Sequence, residues 1–327
     1  MTVQPNRAVD AHAGDVDPQI KRFVETMSAA YARYPDFSTI TVEEARRICE
    51  AVRAPWVKGG PSIAATTERT IPTRAGEVRL RIYDPEPERT KPALAYLHGG
   101  GWTVFSLDTH DRLMREYAHR GRIVVVGLDY ARSPEAKFPT ALEQTVDALI
   151  WLQANAAGLS IDANKLAIGG DSAGANLSIA AALMLRDVGR AKLLNALVLN
   201  YGVFDVAISE ASARRYGGKG YMLTADEMDY FFNNYTRSPK DLDDPLVRPV
   251  KADLRGLPPC LLIVPECDVL TEQSFALSEK LLRANVPVEA KIYEGATHSF
   301  LEAMSIADVS NRAISDTTAW LRRTLSD

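Results

Sequence analysis

The stretch Leu166-Ala167-Ile168-Gly169-Gly170-Asp171-Ser172-Ala173-Gly174 decides how this chain of 327 residues folds. Its first three residues are a short apolar run of the kind buried in a parallel sheet. Residues 173–185 behind it are rich in alanine and leucine, as a helix would be. Gly-x-Ser-x-Gly recurs by chance in chains of this size, so the pattern alone is weak evidence. Set between a strand and a helix, it describes a tight elbow that holds a serine hydroxyl out of the turn. Glycine suits positions 170 and 174 because side chains there would collide where strand and helix close on each other. The amides at the start of the helix would also favour negative charge developing beside Ser172. The plain alternative is a serine that caps the helix of an ordinary turn.

Outward from this elbow, residues 93–97 and 123–128 are further buried-strand runs, and 78–83 alternates like a half-exposed strand. Strand patterns return at 196–199, 260–265 and 288–293. Helical patterns fall at 108–118, with Asp108 as its cap, and at 140–152, 173–185, 272–282 and 307–321. Strands separated by helices need crossovers, which predicts an α/β fold with a mostly parallel sheet covered on both faces. Two stretches leave this rhythm. In residues 1–60, Ile20, Phe23, Val24, Met27 and Tyr31 share one helical face. Val42, Ala45, Ile48, Cys49 and Val52 share another, until Pro55 and Gly59-Gly60-Pro61 break the pattern. Residues 202–257 show helical character only at 221–235, and an insertion that long is more often a lid than a structureless loop. The division read from this is a helical cap segment at 1–60, a first part of the α/β core at 61–201, a cap insertion at 202–257, and the rest of the core at 258–327.

Composition narrows the function. The chain is 46% apolar and 24% charged, which is globular. Thirty-eight basic and 42 acidic side chains leave a net charge of −4, no basis for binding nucleic acid. No apolar run approaches the ~20 residues of a membrane span. Met1 to Gln19 is polar without a basic start, which predicts no signal peptide and a cytoplasmic address. The three cysteines, Cys49, Cys260 and Cys267, form no Cys-x-x-Cys or Cys/His ligand pattern, so structural zinc is excluded. Cys260 and Cys267 lie about 23 Å apart at strand rise and cannot bridge each other. Homo-oligomerisation is compatible with all of this.

A serine hydroxyl needs a base, an orienting acid and donors for the oxyanion. For the donors, His98-Gly99-Gly100-Gly101-Trp102 follows the strand at 93–97. A triple glycine can turn its amides inward, and Gly100 and Gly101 with Ala173 are the favoured set, Gly99 remaining an alternative. No Walker or dinucleotide pattern accompanies these glycines, which disfavours phosphate. Among five histidines, His12 lies in the polar tail, His98 in the glycine loop, and His110 and His119 on the helix after it. His298, in Glu294-Gly295-Ala296-Thr297-His298-Ser299-Phe300 at the end of the last strand, is the best base. The acid should lie between Ser172 and His298, at a strand's C-terminal end. Asp268 fits best, and Glu266 is its rival; Asp253 and the acids of 241–244 follow no strand. Asp108-Thr109-His110-Asp111 reads as a helix start rather than a metal site. Arg214-Arg215 reads as a solvated face. Trp102, Tyr201 and Phe300 are candidates to line the substrate pocket, with plain core packing the alternative.

Together these residues are similar to the hormone-sensitive-lipase-like family of α/β-hydrolases, and within it to the bacterial acetyl esterase group. The likeness runs from about Leu80 to the C-terminus. It includes the segment from Tyr96 to Trp102, Leu107-Asp108-Thr109-His110-Asp111-Arg112, Asp129-Tyr130, Ser133-Pro134-Glu135-Ala136-Lys137-Phe138-Pro139, the elbow, and Leu223-Thr224. Asp268-Val269-Leu270 departs from the usual Asp-Pro-Leu, and Ala131-Arg132-Ser133 from the usual Arg-Leu-Ala. The resemblance implies an α/β-hydrolase fold with a sheet of about eight strands, a helical cap, and a triad of Ser172, Asp268 and His298. It implies a carboxylic ester hydrolase acting on small-molecule esters with short acyl groups, without metal or organic cofactor. Competing readings are cleavage of amides or carbamates, acyl transfer by the same triad, or a non-catalytic ligand receptor on the same fold.

Overall fold

In the computed structural model, which describes residues 15–326, strand order is what creates the site. Eight strands among the described residues form one sheet: β1 (Ala65–Thr73), β2 (Gly76–Asp84), β3 (Lys91–Leu97), β4 (Val124–Asp129), β5 (Ile161–Asp171), β6 (Ala196–Asn200), β7 (Cys260–Cys267) and β8 (Val288–Thr297). Their order across the sheet is β1-β2-β4-β3-β5-β6-β7-β8. Pairings from β4 through to β8 are parallel, while β2 runs antiparallel to both its neighbours. The chain moves outward from β3 to β4, then returns across β3 to lay down β5. Loops leaving the C-terminal ends of β3 and β5 therefore splay apart and open a crevice. The glycine loop leaves β3 and the elbow leaves β5, so topology alone sets them face to face.

The helices are α1 (Pro18–Tyr31), α2 (Val42–Arg53), α3 (Asp111–Gly121), α4 (Thr140–Asn155), α5 (Ala173–Asp187), α6 (Glu210–Tyr216), α7 (Ala225–Tyr235), α8 (Thr271–Arg283) and α9 (Asp308–Thr324). Alternating strand residues supply two cores. From β3, Ala93, Ala95 and Leu97 face α4, α5 and α8, whereas Leu94 and Tyr96 face α3 and α9. Apolar side chains of α1 and α2 join the second core; those of α6 and α7 join the first. The N-terminal helices also reach the insertion, since α1 contacts the 3-10 turn Lys219–Tyr221. Tyr31, Phe37, Cys49, Val104, Phe105 and Phe231 form one small cluster between α1, α2, α7 and the glycine loop.

One local expectation needs correcting, and one strand carries no sequence signal. The third helix begins at Asp111 rather than Asp108, and His110 stands at its cap position. Asp108 is drawn out of the turn by Arg81, whose guanidinium lies 2.7 Å from its carboxylate. β1 was not anticipated: it is an edge strand with only Ile71 buried, so its sequence carries neither an apolar run nor a clear alternation. No helix among the described residues is long and apolar enough to cross a membrane.

Candidate active site

Ser172 sits between the last residue of β5 and the first of α5 with φ 53° and ψ −118°, a conformation that side chains normally avoid at a cost of about 1–3 kcal/mol. The surroundings hold it there. Its amide donates to Asn200 O at 2.9 Å, and its carbonyl accepts from Ala175 N at 3.1 Å. Close packing behind the elbow explains the glycines: a Cβ on Gly174 would collide with the carbonyl of Leu97. Instead of capping the helix, Ser172 Oγ lies 3.0 Å from His298 Nε2.

His298 follows β8, and Asp268 follows β7, its neighbour in the sheet. His298 Nδ1 is 2.7 Å from Asp268 Oδ2, while Asp268 Oδ1 accepts the Leu270 amide at 3.0 Å. That second bond fixes the carboxylate plane and leaves one oxygen for the imidazole. The three residues are 7%, 1% and 5% exposed for Ser172, Asp268 and His298, so their bonds are little diluted by water. The edge of the Tyr201 ring rests on the imidazole at 5.1 Å. Glu266, the rival acid, is used elsewhere: its carboxylate accepts the Gly295 amide at 2.9 Å. Asp253 pairs with Arg255, Asp241 with Arg237 and Asp243 with Lys251.

The glycine loop supplies unspent donors. Gly100 has φ 101° and Gly101 φ 57°, both left-handed, which turns successive peptide units in a way that favours glycine. Among the described residues, neither amide donates a hydrogen bond. Ala173 opens α5, where first-turn amides have no partner within the helix. His98 acts as a brace. Its Nδ1 meets Gly99 O at 2.7 Å, its ring stacks on Tyr130 at 4.4 Å, and the Tyr130 hydroxyl donates to His98 O at 2.8 Å. Burial pushes its pKa down to about 3, so it is neutral.

The remaining expected residues fall in other places. Trp102 is fully buried, stacked on Tyr235 at 4.2 Å, and Phe300 is fully buried between Tyr201 and Tyr293. Both are packing side chains here, and with no accessible surface neither lines an open pocket. Tyr201 is buried against His298, as described. His119 is exposed, Arg214 faces solvent near Glu210, and His12 lies outside the described residues. His110 bonds Asp171 rather than joining Asp108 and Asp111. Among the described residues no group of three or more His, Cys, Asp or Glu is arranged to hold a metal ion.

One side chain was missed. Phe231 of α7 packs so closely on the glycine loop that a Cβ on Gly101 would collide with its ring. An aromatic at helical spacing gives no signal that separates a pocket wall from core.

The sequence model of the alpha/beta hydrolase fold family matches residues 94–302, which span both the glycine loop and His298. The chain belongs to that family. It is 36% identical over 277 residues to the acetyl esterase of Salmonella choleraesuis, covering 84% of this chain and 85% of that one. This places it in the hormone-sensitive-lipase-like, bacterial acetyl esterase group. The hyperthermophilic esterase of Pyrobaculum calidifontis superposes with a TM-score of 0.89 at 34% identity, covering 94% of this chain and 98% of that one. A thermostable esterase from Pseudomonas putida gives 0.89 at 28% identity, covering 97% and 99%.

Proposed function

We propose that this carboxylic ester hydrolase cleaves short-chain, acetyl-like esters of small alcohols through Ser172, His298 and Asp268 and an acyl-enzyme intermediate. The observation that carries the reading is the continuous relay of 3.0 Å and 2.7 Å contacts from Ser172 through His298 to Asp268. Ser172 Oγ attacks the ester carbonyl as His298 Nε2 takes its proton, and Asp268 holds the Nδ1–H tautomer and steadies the imidazolium. The amides of Gly100, Gly101 and Ala173 receive the oxyanion; one such donor is worth about 10²–10³ in kcat. His298 then protonates the departing alcohol and activates water against the acyl-serine. Every proton is carried by side chains of this chain, and no metal or organic cofactor takes part.

Residues 15–60 and 202–257 form the cap in this reading, with Phe231 as its aromatic wall over the glycine loop; residues 1–14 of the expected cap segment lie outside the described residues. Support for the short acyl group comes from that wall and from the acetyl esterase name carried by the Salmonella relative. The cytoplasmic address belongs to the same proposal, supported by the buried thiols Cys49 and Cys260. A series of nitrophenyl esters from acetyl to decanoyl, with the matched anilide, tests it. The reading expects kcat/KM to peak at or below about six acyl carbons, each excess methylene being worth about 1–3 kcal/mol in a closed pocket. A peak on decanoate, or preference for the anilide, would overturn it.

A further inference from the structure

Beside the nucleophile lies a buried polar cluster that none of the steps above uses. Asp171 precedes Ser172 in the chain and is 2% exposed. Its Oδ1 accepts from the Tyr96 hydroxyl at 2.8 Å, and its Oδ2 lies 3.2 Å from His110 Nε2. His110 is 1% exposed, and its Nδ1 lies 2.9 Å from Thr109 Oγ1. Thr109 has a single hydroxyl proton, which goes to the Ser106 carbonyl at 2.8 Å, a group that can only accept. The Ser106 amide donates to Thr109 Oγ1 at 3.1 Å. Thr109 Oγ1 can therefore offer only a lone pair to His110 Nδ1, while a carboxylate offers only lone pairs to Nε2. Both ring nitrogens then carry hydrogen.

We infer that His110 is a doubly protonated positioning residue whose ion pair with Asp171 clamps the serine elbow to the glycine loop. The clamp joins three segments at one carboxylate. Asp171 ends β5 at the nucleophile, Tyr96 lies two residues before His98 on β3, and His110 closes the loop that leads to α3. The glycine loop touches the same point, since a Cβ on Gly99 would collide with Asp171 Oδ2. Releasing that carboxylate lets Oγ and the oxyanion donors drift relative to one another, without removing any group that touches substrate.

The surrounding charges favour this state. Burial alone would lower the His110 pKa, but the adjacent Asp171 charge and its hydrogen bond outweigh burial and raise it. Burial would likewise raise Asp171, but the His110 charge and the bonds from His110 and Tyr96 hold it below the usual range. From the glycine loop, His98 lies 5.7 Å away and is neutral. From beyond His298 comes the negative Glu302, and from α2 the positive Arg53. These two pair with each other at 2.8 Å, so they largely cancel at His110. Tyr96, Tyr117 and Tyr201 stay neutral, their phenols pushed up by burial. Arg132 of the loop after β4 acts on His98. The positive end of α3 opposes the cation, but by less than a buried, hydrogen-bonded carboxylate contributes. The clamped state is the one in which both ring nitrogens donate, Nδ1 to Thr109 and Nε2 to Asp171. It is lost on the alkaline side as pH passes the raised pKa of His110, and on the acid side as pH falls through the depressed pKa of Asp171.

This inference rests on the esterase reading of Ser172, and two measurements separate them. In the ¹⁵N-histidine-labelled protein, with His110 assigned by its disappearance in His110→Gln, the imidazole should show two protonated nitrogens at pH 7. A neutral tautomer would overturn the inference without reference to activity. In His110→Gln, which keeps a donor but no charge, kcat on nitrophenyl acetate should fall about 10–100-fold with KM within about threefold. The alkaline limb set by His110 should vanish, whereas a merely structural loss would scale the profile without changing its shape. An unchanged kcat or an unchanged limb would sink the clamp. A wild type inert toward all esters would remove the function on which it rests, whichever nitrogens carry protons.

Discussion

Replacing Gly100 by alanine is the sharpest perturbation of the proposed oxyanion site, because the structure sets its size. At φ 101° an L-side chain costs about 1–3 kcal/mol in backbone strain. The new Cβ would also lie 2.7 Å from Phe105 Cδ2 and 2.8 Å from the Val104 carbonyl carbon. Carbon atoms prefer about 3.5 Å, so the loop must yield by roughly 0.8 Å. Backbone at 104 cannot swing away as a flexible side-chain tip could, so the displacement falls on the amides of Gly100 and Gly101. A shift of that size, or loss of one donor, costs about 10²–10³ in kcat, or about 2.7–4 kcal/mol, with KM nearly unchanged. Steady-state rates on nitrophenyl acetate, normalised to folded protein by thermal denaturation, measure it. Gly158→Ala is the control, since nothing lies within 4 Å of the added Cβ. A folded Gly100→Ala protein within about threefold of wild-type kcat would refute the reasoning, because the donors would then not be where the mechanism needs them.

Other perturbations separate roles. Asp268→Asn should leave the fold intact but lower kcat by about 10⁴, since an amide stabilises the wrong imidazole tautomer; a loss under tenfold would point back to Glu266. Arg53→Met should lower stability by about 3–5 kcal/mol in denaturant titrations by stranding the buried Glu302, and Arg53→Met with Glu302→Met should restore most of it. Equal loss in the double variant would show that Arg53 matters through its packing on the Phe105 ring at 3.7 Å. Phe231→Ala should raise the kcat/KM ratio of octanoate to acetate by about tenfold or more; an unchanged ratio would mean that the ring does not bound the acyl group.

How far the sequence could be read follows from the physics of each segment. β3, β4, β5, β6 and β7 are buried on both faces, so their apolar runs were plain, and the order of strands and helices followed. β1 is paired on one edge only and mostly exposed, with Glu68, Arg69 and Thr70 serving the ladder equally well. Its sequence carries no period to detect. Ser172 and His298 were legible because few residues of the right chemistry stand at strand ends. Between Asp268 and Glu266, the sequence does not say which carboxylate the end of β7 aims at His298, because the fold of the turn sets that direction. Trp102 looked like a pocket residue because it adjoins the glycines, but its positive φ of 57° swings the indole onto Tyr235. His110 shows the opposite case. Its neighbours in sequence suggested a helix start, while its partner Asp171 is 61 positions away and meets it only through the sheet.

The central claim is that Ser172 carries the acyl group during turnover. Rapid quenching of the enzyme with nitrophenyl acetate, followed by peptide mass mapping, tests it directly. The account predicts an added acetyl mass on the peptide containing Ser172, formed in a burst with released nitrophenol and absent from His298→Ala. Turnover with the acetyl group on another residue, or with full activity in Ser172→Ala, would contradict it.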